Sequence, residues 1–161
     1  VGQQLKREID NWESVHLFCS PLFRCRQTAA VICDTVGTNF ERLVYDERLK
    51  ERCFGDWQGL TDREITAQYP DAWAARERDV WNYIISGGGE NYPALAARVS
   101  EWLDEQPANS QIVLISHGQT GRALRFRYCG LNPEEALNLP VPQNIVFRLF
   151  EGQSHSLDAN Q

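Results

Sequence analysis

Two hydrophobic periods alternate along this chain. Val15-His16-Leu17-Phe18-Cys19, Leu43-Val44-Tyr45 and Ile112-Val113-Leu114-Ile115 are short, mostly apolar runs, and each predicts a strand. The last is unbroken and aliphatic, the pattern of a strand buried on both faces of a parallel sheet. Between these runs the apolar positions recur at helical spacing. Leu5 and Ile9 mark a surface helix over 3–11; Ala29, Ile32, Cys33 and Val36 mark one that starts near Arg24 and stops at Gly37. Leu95, Val99, Trp102 and Leu103 mark another, and Leu124, Tyr128 and Leu131 mark one beginning at Thr120. Thr61-Asp62-Arg63-Glu64 has the form of a capping box, opening a helix that Pro70 ends. Asp71 is expected to cap the next helix, with Trp73, Val80, Trp81 and Ile84 on one face. Ser86 to Glu90 (SGGGE) reads as a flexible break, Asn132-Pro133-Glu134-Glu135 as a brief helical turn, and Ile145 to Phe150 as a strand that a Glu151-Gly152 turn pairs with the tail.

Strands alternating with helices predict an α/β fold, a three-layer α/β/α sandwich with a mostly parallel sheet. The helices between 60 and 90 follow one another too closely to be crossovers, so that segment is expected to form a small helical cap on a single domain spanning 1–161. At 161 residues, 42% hydrophobic and 24% charged, the composition excludes disordered and collagen-like classes. No apolar run approaches the roughly 20 residues of a membrane span, and a net charge of −6 without a basic block gives no nucleic-acid footprint. Neither a membrane nor a nucleic acid is therefore an expected partner. Five cysteines, an odd number without C-x-x-C spacing, favour a reducing compartment and a cytoplasmic protein.

Several catalytic designs lack their minimum parts: there is no P-loop, no G-x-S-x-G elbow and no H-E-x-x-H pair. No cysteine has an arginine six positions later, which removes the cysteine-phosphatase signature. What the chain offers is an anion site. His117 and Gly118 follow the strand at 112–115, at the end of a sheet where ligands bind. Arg24 lies beside a helix N-terminus just past another strand, where backbone N–H groups and a guanidinium both favour phosphate or carboxylate. His117 could donate a hydrogen bond or carry positive charge toward the same point. Glu51, in the charged loop 46–59, is the candidate proton donor, with Phe54 and Trp57 as apolar neighbours that would hold its proton. Each also has a plain structural reading: a hydrogen-bonded core histidine, a surface arginine, a solvated glutamate.

Taken together, Ser20-Pro21-Leu22-Phe23-Arg24-Cys25-Arg26-Gln27-Thr28-Ala29, the acid loop Leu49 to Gly59, Gly88-Gly89-Glu90 and Ser116-His117-Gly118 resemble, in order, the motifs of the histidine phosphatase superfamily, the phosphoglycerate-mutase-like enzymes. The resemblance implies that Arg24, His117 and Gly118 bind phosphate and that Glu51 binds substrate and acts as general acid and base. It implies that Glu90 is a substrate-side contact, that Arg122 supports the site, and that neither metal nor cofactor is required. In such enzymes a histidine takes the phosphoryl group, and water then hydrolyses the phosphohistidine.

That nucleophile belongs to an Arg-His-Gly motif, which is expected ahead of Val1; His16, inside a strand, and His155, near the tail, do not fit it. The stretch given is accordingly expected to be inactive alone. A phosphatase is favoured over a cofactor-dependent phosphoglycerate mutase because the segment between Gly59 and Gly88 is short and Asp62 stands where the mutases have a Lys. A mutase must shield its intermediate from water, which a sparse cap does badly. The third reading is an inactive module that binds a phosphorylated ligand. The expected partner is a phosphorylated small molecule such as a sugar phosphate or α-ribazole phosphate, and a homodimer is allowed.

Overall fold

The computed structural model describes residues 1–157. Three short strands, β1 (His16–Cys19), β2 (Leu43–Tyr45) and β3 (Ile112–Ile115), form a parallel sheet in the order β2-β1-β3. The register sets Leu17 opposite both Leu43 and Val113, and Cys19 opposite Tyr45 and Ile115. Successive strand residues point to opposite faces. Leu17 and Cys19 accordingly bury in one core with Val113 and Ile115, whereas Phe18 meets Trp102 edge to face at 5.3 Å.

Those two faces take different helices. α1 (Gly2–Glu8) and α2 (Phe23–Val36) cover the Leu17 face through Leu5, Ala29, Ile32, Cys33 and Val36, the stripes expected from spacing. Gly37 ends α2 in the left-handed conformation, at φ 79°, where a side chain would be strained. The opposite face takes α5 (Tyr92–Asp104), which carries Trp102 and packs on α6 (Gly118–Cys129) through Leu95, Ala96, Val99 and Ala123. Helices on both faces of the sheet make the three layers.

The remaining elements are α3 (Asp62–Gln68), α4 (Pro70–Arg78), α7 (Pro133–Asn138) and the antiparallel strands β4 (Val146–Phe150) and β5 (Gln153–Leu157). Thr61 and Glu64 close the expected capping box on α3. Because Thr61 Oγ1 satisfies an otherwise orphaned N–H, Thr61→Ala should destabilise the fold by about 1 kcal/mol. A melting midpoint that does not move would show that this helix end contributes nothing.

Three expectations need correction. Asp71 does not cap α4: Tyr69 is the cap residue, Pro70 starts the helix, and Asp71 lies in its first turn. The proposed face of Trp73, Val80, Trp81 and Ile84 is not one face, because α4 ends at Arg78; Trp73 packs with Trp57, Val80 and Trp81 join the α5–α6 core, and Ile84 is exposed. In α6, which starts two residues before Thr120, the buried positions are Thr120, Ala123 and Arg125 rather than the Leu124 stripe, since close approach to α5 selects the small Ala123. As expected, β4 pairs with β5 across the Glu151-Gly152 turn, and this hairpin stands apart from the three-stranded sheet.

The SGGGE stretch is also more ordered than its composition suggests. Asp56 N–H donates to the Ser86 carbonyl and Glu90 N–H to the Cys53 carbonyl, both at 2.9 Å, so the glycine turn is laced to the acid loop. Gly55 is required there, because a Cβ at this residue would stand 1.9 Å from the Ser86 oxygen.

Candidate active site

The carboxyl ends of β1 and β3 lie side by side, joined where Ser20 N–H donates to the Ile115 carbonyl at 2.9 Å. The chain leaves β1 into the N-terminus of α2 and leaves β3 into the N-terminus of α6, so both helix starts open at the same rim of the sheet. This brings Arg24, in the first turn of α2, to His117, which precedes the first residue of α6. Arg24 Nε–H donates to His117 Nδ1 at 3.1 Å. An imidazole nitrogen that accepts carries no proton, so the ring proton sits on Nε2 and points to Ser20 Oγ at 2.7 Å.

His117 is therefore a neutral hydrogen-bond donor, which settles the choice left open by the sequence against a standing positive charge. Burial, then the nearby Arg24 and Arg98 guanidiniums, push its pKa down from 6.5 to about 4. The sign of the resulting pH effect follows from linkage: above pH 6.5 neither folded nor unfolded His117 is charged, and nothing is lost. As pH falls from 6.5 toward 4 the unfolded chain takes up a proton that the folded chain refuses, and stability drops. Urea midpoints measured between pH 7 and pH 4 should fall less steeply in His117→Gln than in the parent, and identical slopes would refute the assignment.

Glu51 reaches the same corner from the loop after β2. Its Oε1 accepts from the Arg52 and Thr120 amides at 3.0 and 3.2 Å, and its Oε2 from the Gln119 amide at 3.4 Å. The carboxylate thus sits on the N-terminus of α6, where exposed N–H groups and the helix dipole attract negative charge. Its surroundings are polar. Phe54 and Trp57, expected beside it, pack instead with Ile65, Ile85 and Trp73 in the cap.

The backbone around Glu51 is held by Arg98, a residue the sequence reading passed over. Arg98 donates to the Lys50 and Glu51 carbonyls at 2.9 and 3.2 Å and grips both oxygens of Glu90 at 2.7 and 2.8 Å. Glu90 also accepts from the Cys53 amide at 3.0 Å. Burial pushes the Glu90 carboxyl up, but its hydrogen bonds from Arg98 and from Cys53 outweigh that and hold it below the usual range. Both Glu90 oxygens thus help to fasten the acid loop. Arg122 lies further along α6, donating to the Tyr92 hydroxyl at 2.9 Å and to the Leu139 carbonyl at 2.8 Å, and so ties α6 to α5 and to the chain after α7.

The sequence reading also gave no role to Ser20, fully buried against His117, to Thr120, whose hydroxyl donates to the Lys50 carbonyl at 2.7 Å, or to Cys25, whose Sγ lies 3.5 Å from His117 Nε2. The signal for Ser20 was its place four residues before Arg24 in the quoted motif. Arg98 could have been noticed as a charge set between the buried positions Leu95 and Val99. Among the described residues no three His, Cys, Asp or Glu side chains gather in a metal-holding group, and no helix is long and apolar enough to cross a membrane.

A guanidinium from the start of α2 bonded to an imidazole at the start of α6, with a carboxylate seated on that same start, brings together side chains from three of the motifs read from the sequence. The family model of the histidine phosphatase superfamily, branch 1, covers residues 2–158. The chain belongs to this superfamily. Among its curated relatives, phosphoglycerate mutase-like protein 4 of Arabidopsis thaliana is 32% identical over 98% of this chain and 67% of its own length. A 2,3-bisphosphoglycerate-dependent phosphoglycerate mutase of Sinorhizobium fredii is 28% identical over 82% of this chain and 65% of its own length. This histidine phosphatase superfamily chain thus spans about two thirds of those relatives' lengths. Among solved structures, mycobacterial glucosyl-3-phosphoglycerate phosphatase in complex with inorganic phosphate superimposes with a TM-score of 0.70 at 26% identity, covering 99% of this chain and 81% of that one. The α-ribazole phosphatase of Shigella flexneri shares the fold, with a TM-score of 0.74 at 22% identity over 97% of this chain and 78% of that one.

Proposed function

We propose that this chain carries the phosphate pocket and the proton-transfer carboxylate of a metal-independent phosphomonoesterase that works through a phosphohistidine. The observation that carries the reading is the convergence of Arg24 on His117, with Glu51 seated two and three residues further along the same backbone. Arg24 is exposed and makes no ion pair among the described residues, so its remaining N–H groups are free to meet phosphate oxygens. His117, held neutral, would turn its Nε2–H from Ser20 to a phosphoryl oxygen. In-line transfer needs little covalent help from a protein beyond positioning and charge stabilisation, and these two groups provide both.

In this reading the phosphoryl acceptor is the histidine of an Arg-His-Gly segment ahead of Val1. His16 begins β1 on an exposed position and His155 lies on β5, so neither reaches the rim. As the phosphorus–oxygen bond breaks, Glu51 gives its proton to the leaving oxygen. The carboxylate then takes a proton from water, which attacks the phosphohistidine and releases inorganic phosphate.

The test uses the full-length protein and a radiolabelled phosphomonoester. An acid-labile, base-stable labelled histidine should form and decay to free phosphate, and Arg24→Ala should weaken competition by inorganic phosphate at least tenfold. Absence of label under rapid quench would remove the covalent route. Mutase activity is the second reading, favoured by the names of the curated relatives. The short segment between Gly59 and Gly88 argues against it, since a mutase must shield its intermediate from water. With 3-phosphoglycerate as substrate, the expected product is free phosphate; 2-phosphoglycerate without free phosphate would reverse the preference.

A further inference from the structure

The empty pocket is closed on itself. Arg24 Nε–H donates to His117 Nδ1 at 3.1 Å and His117 Nε2–H donates to Ser20 Oγ at 2.7 Å, so each group assigned to phosphate already holds a partner within the fold. The shorter of the two bonds ends on Ser20, which is 0% exposed and directly follows β1. Its own N–H donates to the Ile115 carbonyl at 2.9 Å, at the end of β3. The hydroxyl is therefore carried by the sheet and cannot follow the imidazole when the ring moves.

The two partners differ in what they keep when they part. A hydroxyl has one donor and two lone pairs. Leu22 N–H approaches one lone pair of Ser20 at 3.4 Å, and the O–H faces the Cys25 sulfur, whose charged form it favours. Ser20 thus stays partnered without His117. The imidazole has no such reserve. Cys25 Sγ stands 3.5 Å from Nε2 and 3.7 Å from Nδ1, and a sulfur so nearly equidistant lies along neither N–H axis. Its proton goes to the Ser116 carbonyl at 3.1 Å, and sulfur accepts only weakly. Among the described residues, then, Ser20 is the strong acceptor that the Nε2–H has in the empty pocket.

A hydrogen bond made only in the empty pocket lowers the affinity for whatever displaces it. For one neutral bond the effect is about three- to tenfold. We propose that Ser20 is a positioning residue that works as a latch: it holds the Nε2–H of His117 while the pocket is empty, gives it up to an entering phosphoryl oxygen, and takes it back when inorganic phosphate leaves. The proposal rests on the reading of His117 as a phosphate donor. It has an unusual consequence, namely that a buried polar residue beside the site weakens phosphate binding and eases product release.

The test measures competition by inorganic phosphate against a phosphomonoester, in the full-length protein. Ser20→Ala and Ser20→Cys should each tighten phosphate about three- to tenfold; the cysteine nearly keeps the volume and replaces a strong acceptor by a weak one. KM should fall by the same factor, and the gain in kcat/KM should sit in KM, because substrate and transition state both gain the freed N–H. Ser20→Thr, which keeps the hydroxyl, should return both constants to those of the parent. A merely structural role would loosen the pocket and move them the other way. Melting midpoints guard against misfolding, and Ser20→Cys carries the test if Ser20→Ala does not fold. Where Arg24→Ala weakens phosphate as expected, unchanged or weaker binding in the folded Ser20 variants, or a tightening shared by Ser20→Thr, overturns the latch alone. Where Arg24→Ala binds phosphate as tightly as the parent, the phosphate-pocket reading falls and the latch falls with it.

Discussion

Replacing Glu51 by Gln should lower kcat of the full-length protein by about 100- to 10,000-fold, the range for loss of a general acid or base, while inorganic phosphate binds within a factor of about three of the parent. The substitution is nearly isosteric. A glutamine oxygen at the Oε1 position keeps the 3.0 and 3.2 Å bonds from the Arg52 and Thr120 amides, and only the long 3.4 Å contact from the Gln119 amide to Oε2 is lost. The loop therefore stays in place, and what disappears is the proton. Because that proton goes to the leaving oxygen, the deficit should be large for alkyl phosphates and smaller for p-nitrophenyl phosphate, whose leaving group departs without help. An unchanged rate with an alkyl phosphate would remove Glu51 from the mechanism. A deficit equal for both substrates would restrict it to activating water.

Replacing Arg98 by Met should destabilise the fold by about 3 kcal/mol, at the lower end of the range for breaking a buried ion pair from one side. The lower end applies because the Arg98 and Glu90 side chains keep 19% and 22% exposure. For a domain of this size the melting midpoint should fall by roughly 6–12 °C. Most of the loss comes from leaving the Glu90 carboxylate partly buried without its partner, so adding Glu90→Gln to Arg98→Met should recover part of it. A double variant no more stable than Arg98→Met would mean that the backbone carbonyls of Lys50 and Glu51, not the ion pair, hold the energy. Folding linkage adds a pH signature. Glu90 has its folded pKa below the ordinary 4.5, so its contribution is fully present above that value and is lost as pH falls through the folded pKa. Arg98→Met should abolish this acid-sensitive component.

These two residues divide the site by what its sequence could reveal. Glu51 stood out because an acidic residue followed by Phe54, Gly55, Trp57 and Gly59 belongs to a recognisable motif. Arg98 carried no such mark. It lies within a helical apolar stripe, and its partners Glu90, Lys50 and Glu51 become neighbours only when the loop after β2 folds against α5. Ser20 and His117 tell the same story: 97 positions separate them, and parallel pairing of β1 with β3 closes that gap to 2.7 Å.

Local patterns carry what local physics decides. The sequence by itself determined β2 and β3 to the residue, because an uninterrupted apolar run has few alternatives to a covered strand, and it determined the end of α2 at Gly37 and the start of α3 at Thr61, because positive φ and helix capping are settled within a few bonds. It also determined the family, through four motifs in order. Only the tertiary structure decided which face of α6 is buried, that His117 is neutral, and that Glu90 is tied through Arg98 to the acid loop. Each of those depends on which distant group occupies the other side of a contact, and a linear pattern records one side of a contact at a time.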